Sequence, residues 1–200
     1  MALRSLVKIS SVNNLSDARY TAGMGVELMG FNLDTESEQR VSPEEFHAIT
    51  SWISGVKLVG EVDSITQHQL AELMKEYPVD YIQVVGSKSI EIEKSPLPVI
   101  VKIDRPDQEH ITRIFNQFGQ LPAWYLLEPS EPFMDDQLTW CMEQASFYPI
   151  ILGSNIKLEN LDQLLDAGFG GISLRGGNEI RPGYKDFDEL ADILEALEEE

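Results

Sequence analysis

Short runs of aliphatic and β-branched residues alternate with amphipathic segments along the whole chain, and this alternation constrains the fold more than any other feature. It is the pattern of parallel strands joined by crossover helices. Eight strand candidates can be counted, over residues 6–10, 28–33, 56–62, 81–85, 99–103, 124–128, 150–153 and 171–174. Several are apolar at consecutive positions, as in Val99-Ile100-Val101 and Ile150-Ile151-Leu152, which suits strands covered on both faces. Helices are expected over residues 16–24, 43–53, 66–75, 108–118, 134–145 and 159–167. In a last helix, Asp186 and Glu189 have capping-box spacing, and Phe187, Leu190, Ala191, Leu194 and Leu197 share one face. Residues 87–96, with Pro96 and the alternation Ile90-Glu91-Ile92-Glu93, are too short for a full crossover helix, so the helix after the fourth strand is expected to be shortened or missing.

Such units fit either a closed barrel or an open doubly wound sheet. They are uniformly short and no dinucleotide glycine fingerprint follows the first strand, which favours a single (β/α)8 barrel of the α/β class. A chain of 200 residues with 42% hydrophobic content builds one substantial core, so residues 1–200 are read as one domain. In a barrel the loops after the strands carry the chemistry, which makes residues at strand ends the functional candidates.

Charge narrows the partners. A formal net charge of −19 opposes nucleic acid and anionic membrane surfaces by repulsion, although backbone amides can still hold a small anion. No apolar run approaches the length that spans a bilayer, and residues 1–8 lack a signal-peptide core, so a cytoplasmic location is expected. Cys141 is the single cysteine and reads as a small buried hydrophobe. His47, His68 and His110 fall in helical segments at unrelated spacings and read as surface residues, so neither a metal nor a cofactor is expected.

The stretch from Val7-Lys8-Ile9-Ser10-Ser11 to Asp17-Ala18 resembles the opening of phosphoribosylanthranilate isomerases, which read Lys-Ile-Cys-Gly-Ile-Thr and then an Asp-Ala pair. Further matches follow in order: Gly30-Phe31, Arg40-Val41-Ser42-Pro43, Gln83 and Gly86 from a Gln-Leu-His-Gly motif, and Trp140. The stretch Gly177-Asn178-Glu179, followed by Pro182-Gly183-Tyr184-Lys185-Asp186, is similar to the family's Ser-Gly-Val-Glu and Pro-Gly-x-Lys-Asp. The resemblance implies a (β/α)8 TIM barrel and an Amadori rearrangement of N-(5'-phosphoribosyl)anthranilate in tryptophan biosynthesis, with a cysteine as base and an aspartate as acid.

Residue by residue, the resemblance puts Ser10 in the place of the base and Glu128 in that of the acid. It makes Arg40 the partner of the aminobenzoate carboxylate and Gln83 a second substrate contact, while the motif's histidine is Val85. For phosphate it offers the turn Gly153-Ser154-Asn155 and the run Arg175-Gly176-Gly177, whereas the glycine-rich loop after the sixth strand has become residues 129–136, rich in carboxylates. A serine hydroxyl is a far weaker acid than a thiol, which titrates at about 8.5, and Glu128 displaces the carboxyl by about one C–C bond. Three readings remain open: an isomerase, an inactive relative that binds a small phosphorylated metabolite, and a scaffold or interaction protein, as a monomer or a homodimer. With base, acid and phosphate loop all changed, the sequence favours lost or altered turnover.

Overall fold

The computed structural model describes residues 2–86, 92–175 and 190–198, and the backbone of 179–181, 184–185 and 188–189. Eight parallel strands close into a barrel in sequence order: β1 (Leu6–Ser10), β2 (Leu28–Asn32), β3 (Lys57–Glu61), β4 (Tyr81–Val85), β5 (Val99–Ile103), β6 (Trp124–Leu127), β7 (Ile150–Leu152) and β8 (Gly171–Arg175). The register of β1 on β8 runs from Leu6 opposite Gly171 to Ser10 opposite Arg175 and seals the cylinder.

The period-2 geometry of a strand sorts the core into two layers. Leu28, Val59, Ile100, Leu126 and Ile151 form an inner cluster toward the lower part of the barrel, flanked by Leu6, Tyr81 and Trp124. Their neighbours along the strands, such as Val7, Ile9, Met29, Phe31, Ile82 and Val101, join the larger layer between strands and helices. Beyond the inner apolar cluster, inward positions nearer the strand ends turn polar: Lys8, Ser10, Glu61, Gln83 and Ser173 are all buried.

The helices are α1 (Leu15–Gly23), α2 (Pro43–Thr50), α3 (Gln67–Glu76), α4 (Gln108–Phe118), α5 (Asp135–Gln144), α6 (Leu161–Asp166) and α7 (Asp188–Ala196). Capping boxes start two of them, Ser42 with Glu45 on α2 and Thr66 with Gln69 on α3. The crossover from β4 to β5 contains, among the described residues, only a 3-10 turn at Ile92–Lys94, in line with the short, proline-containing sequence there. A second 3-10 turn, Leu158–Asn160, replaces the expected first turn of α6. A feature the sequence reading did not include is a small antiparallel pair, β9 (Glu179–Arg181) and β10 (Tyr184–Lys185). Gly176, Gly177, Asn178, Pro182, Gly183, Asp186 and Phe187 lie outside the described residues, so the expected cap of α7 does as well. Among the described residues no helix is long and apolar enough to cross a membrane.

One expectation needs correction. His110 is not a surface residue but is 5% exposed, because α4 turns the face of His110, Ile111, Ile114, Phe115 and Phe118 inward. Its Nδ1 meets the Arg113 guanidinium at 2.9 Å, and its Nε2 stands 3.5 Å from Asp104 Oδ1, too long for a good hydrogen bond. Cys141 is fully buried on α5, and burial pushes its thiol up to about 12, which leaves it an inert core side chain.

Candidate active site in the barrel mouth

Ser10 ends β1 and Glu128 directly follows β6, and both reach the same rim. The link is Arg175, the register partner of Ser10 across the β1–β8 seam, whose Nε and Nη2 each donate to a Glu128 oxygen at 2.9 Å. A cavity of about 290 Å³ opens there, lined by Glu61, Gln83, Lys102, Glu128 and Arg175 at its floor and by Asp34, Glu36 and Asp63 toward its edge.

Two ion clusters make up the polar floor. In the first, Lys8 is completely buried and its Nζ donates to Glu61 Oε1 at 2.5 Å and to Ser10 Oγ at 2.7 Å. Glu61 Oε2 accepts from the backbone N–H and the hydroxyl of Ser11, both at 3.1 Å. Gly30 leaves space for this pair, since a Cβ there would lie 2.0 Å from Glu61 Oε1 and 3.0 Å from Lys8 Nζ. Ser11 has a φ of 56°, in the left-handed region, at the place where the family motif carries glycine.

In the second cluster, Glu128 is held by the Arg175 fork and by Lys102 Nζ at 2.7 Å from Oε2. Burial pushes the Glu128 carboxyl up, but the Arg175 hydrogen bond and the charges of Lys102, Arg175 and Lys8 outweigh it and hold it at about 2. Glu128 is therefore an ionised carboxylate throughout the physiological range, unable to donate a proton. Ser10 is no readier to act as a base. Its oxygen accepts from Lys8 Nζ and lies 3.0 Å from the Ser173 hydroxyl, and neither neighbour is a carboxylate or imidazole that could take its proton.

The remaining sequence candidates divide between places. Gln83 is 5% exposed and lines the mouth, and its Oε1 has no hydrogen-bond partner among the described residues. Gly153 packs beside Glu128, where an added Cβ would lie 3.0 Å from Glu128 Cβ. Asn155 takes a φ of 60°, and its side chain ties the loop after β7 to Phe133, accepting from the Phe133 N–H and donating to the Phe133 carbonyl, each at 2.8 Å. Ser154 donates to the same Asn155 oxygen at 2.9 Å. Arg40 is directed elsewhere: it borders a separate cavity of about 310 Å³ with His68, Glu72 and Tyr77, its Nη2 3.4 Å from the Tyr77 hydroxyl. Gly176 and Gly177 lie outside the described residues.

Sequence reasoning missed Lys8, Glu61 and Lys102 as parts of this floor. The available signal was register: each is a charged residue that follows an apolar run in its strand and falls at an inward position, where burial is tolerated only with a partner.

Comparison with known proteins agrees with the geometry. A curated N-(5'-phosphoribosyl)anthranilate isomerase from Parabacteroides distasonis is 23% identical over 205 residues, covering 96% of this chain and 93% of its own. The crystal structure of phosphoribosyl anthranilate isomerase from Thermus thermophilus superposes with a TM-score of 0.75 at 23% identity, over 96% of this chain and 98% of that one. A phosphoribosyl anthranilate isomerase in complex with reduced 1-(o-carboxyphenylamino)-1-deoxyribulose 5-phosphate gives a TM-score of 0.73 at 20% identity, with the same two coverages. The family model described as N-(5'-phosphoribosyl)anthranilate (PRA) isomerase matches residues 7–196, and the chain belongs to that family.

Proposed function

We propose that the barrel mouth binds N-(5'-phosphoribosyl)anthranilate or its rearranged ribulose form, and that the protein is an isomerase-like member of tryptophan biosynthesis with restrained turnover. The observation that carries this reading is the composition of the floor. Two cations, Lys102 and Arg175, and Gln83, whose buried Oε1 has no partner among the described residues, line a cavity of metabolite size at the strand ends. In this proposal Gln83 holds the aminobenzoate part, whereas Arg40, directed to the separate cavity beside Tyr77, takes no part in the mouth. The turn Gly153-Ser154-Asn155, with Arg175, Gly176 and Gly177, holds the phosphate.

The Amadori rearrangement needs a proton delivered to the ribose ring oxygen, which opens the ring to an imine at C1′, and a proton removed from C2′ beside it. In this reading Ser10 and Glu128 are assigned these transfers, but a neutral hydroxyl is a poor base and an ionised carboxylate cannot be the acid. Glu128 fits the base better, and the ammonium of Lys102 beside it is the nearest proton donor. Each proton transfer left without help costs about 10²- to 10⁴-fold, so slow turnover is the consequence. A second reading, binding without turnover, is favoured specifically by the three-point hold on Glu128.

Calorimetric titration with reduced 1-(o-carboxyphenylamino)-1-deoxyribulose 5-phosphate tests the binding half. One-to-one saturation weakened by Gln83→Ala is expected. No heat of binding with about 1 mM analogue, corresponding to less than roughly 4 kcal/mol of affinity, would remove the mouth from consideration. Size-exclusion with light scattering assigns the monomer or homodimer that completes the proposal.

A further inference from the structure

A carboxylate gripped at both oxygens by an arginine fork and at one by a lysine has the geometry of a bound ligand, and here the ligand is the protein's own side chain. Glu128 lies 2.9 Å from Arg175 Nε through Oε1, and 2.9 Å from Arg175 Nη2 and 2.7 Å from Lys102 Nζ through Oε2. We propose that Lys102 and Arg175 form an oxyanion-binding site that Glu128 fills as an internal counter-ion, and that a ligand carboxylate or phosphate binds by displacing the Glu128 carboxylate.

Several observations converge on this site. The Glu128 side chain is only 7% exposed, whereas that of Arg175 is 56% exposed, so the guanidinium can be reached from the mouth while the internal carboxylate fills its inner side. The rest of the cavity is hostile to anions, with Asp34, Glu36 and Asp63 toward its edge, and the protein as a whole carries −19. An anion entering this mouth is therefore drawn to the fork rather than to the wall. Independently, Gln83 is more than nine-tenths buried and lines the same cavity, and its Oε1 has no hydrogen-bond partner among the described residues. Buried acceptors are seldom left open, and this one, on a residue that lines the cavity, favours a ligand N–H or O–H beside the anion. The class of ligand is thus an oxyanion that also carries a hydrogen-bond donor.

The inference rests on the mouth being the metabolite site, and it adds to that reading a competition: the ligand has to replace an equal charge already in place. A wild-type mouth is therefore a weak anion site, and neutralising Glu128 uncovers it. Charge-assisted hydrogen bonds made to a freed fork correspond to about 10- to 100-fold in affinity.

The test titrates the full chain separately with inorganic phosphate and with benzoate, comparing wild type, Glu128→Gln and the double variant Glu128→Gln/Arg175→Ala. At least one probe is expected to bind Glu128→Gln about 10-fold or more tightly than wild type, with the gain abolished by Arg175→Ala. Which probe gains distinguishes a carboxylate from a phosphate as the recognised group. If Glu128→Gln is marginally folded, its melting temperature should be low and should rise with the same probe but not with equal chloride. Equal affinities in wild type and Glu128→Gln, a gain that survives Arg175→Ala, or no anion-specific rise in melting would each overturn the site. A gain in Glu128→Gln together with failure of wild type to bind the ribulose analogue would instead count against the proposed function and leave the oxyanion site standing.

Discussion

Replacing Lys8 with methionine removes a completely buried ammonium from the floor and keeps most of its volume. Glu61, 8% exposed, would keep its bonds to Ser11 but lose the cation 2.5 Å from Oε1. Breaking a buried pair from one side costs about 3–5 kcal/mol, because a charge is left in low dielectric without compensation. That is a large part of the 5–15 kcal/mol by which domains are ordinarily stable. With a urea slope of about 3 kcal/mol per molar, the midpoint should fall by roughly 1–2 M. Adding Glu61→Gln removes the stranded charge while keeping an acceptor for Ser11. The double variant should therefore regain about 2 kcal/mol or more over the sum of the single changes. Urea unfolding of the four proteins followed by circular dichroism measures this. A Lys8→Met variant within about 1 kcal/mol of wild type, or single effects that add within about 0.5 kcal/mol, would refute the buried pair as the organiser of the floor.

Acid stability follows from Glu128. Its folded pKa of about 2 lies below the ordinary 4.5, so its contribution is fully present above about 4.5 and is lost as pH falls toward 2. The shift corresponds to about 3 kcal/mol, and Glu128→Gln should flatten the stability-against-pH curve across that window in urea titrations at stepped pH. Gly30→Ala should destabilise by about 1–3 kcal/mol in the same assay, because its Cβ would lie 2.0 Å from a Glu61 oxygen that Lys8 and Ser11 hold in place. Asn155→Ala should cost about 2 kcal/mol by removing its bonds to Phe133 and forcing alanine to a φ of 60°, while Asn155→Gly should cost less by easing the backbone. Equal losses for the two Asn155 variants would remove the backbone from the explanation.

Local pattern carried the fold. Strands buried on both faces announce themselves as apolar runs, and β1, β4 and β5 begin and end where the sequence places them. The α4 face was also readable, since residues 110, 111, 114, 115 and 118 follow helical spacing, although a histidine at its start looked like a surface residue. The candidate site was less legible because its meaning lies in pairs far apart in the chain. Lys8 and Glu61 are separated by 53 residues, and Arg175 and Glu128 by 47. Taken alone, Arg175 beside two glycines looks like a phosphate ligand, and Glu128 looks like a carboxyl free to titrate. Barrel closure brings them together and changes what each can do. The β9–β10 pair escaped for a different reason: its strands are two or three residues long and carry no periodicity to detect.

Turnover is the most direct test of the account, measured as loss of fluorescence from freshly prepared N-(5'-phosphoribosyl)anthranilate with wild type and with Ser10→Cys/Glu128→Asp. The account predicts wild-type turnover at least 100-fold below about 1 s⁻¹, with partial recovery in the double variant, because a thiol can titrate and the shorter carboxylate is less firmly held by Arg175 and Lys102. Wild-type turnover at about 1 s⁻¹ or faster would contradict it, showing that another group in the mouth already supplies the base and the acid.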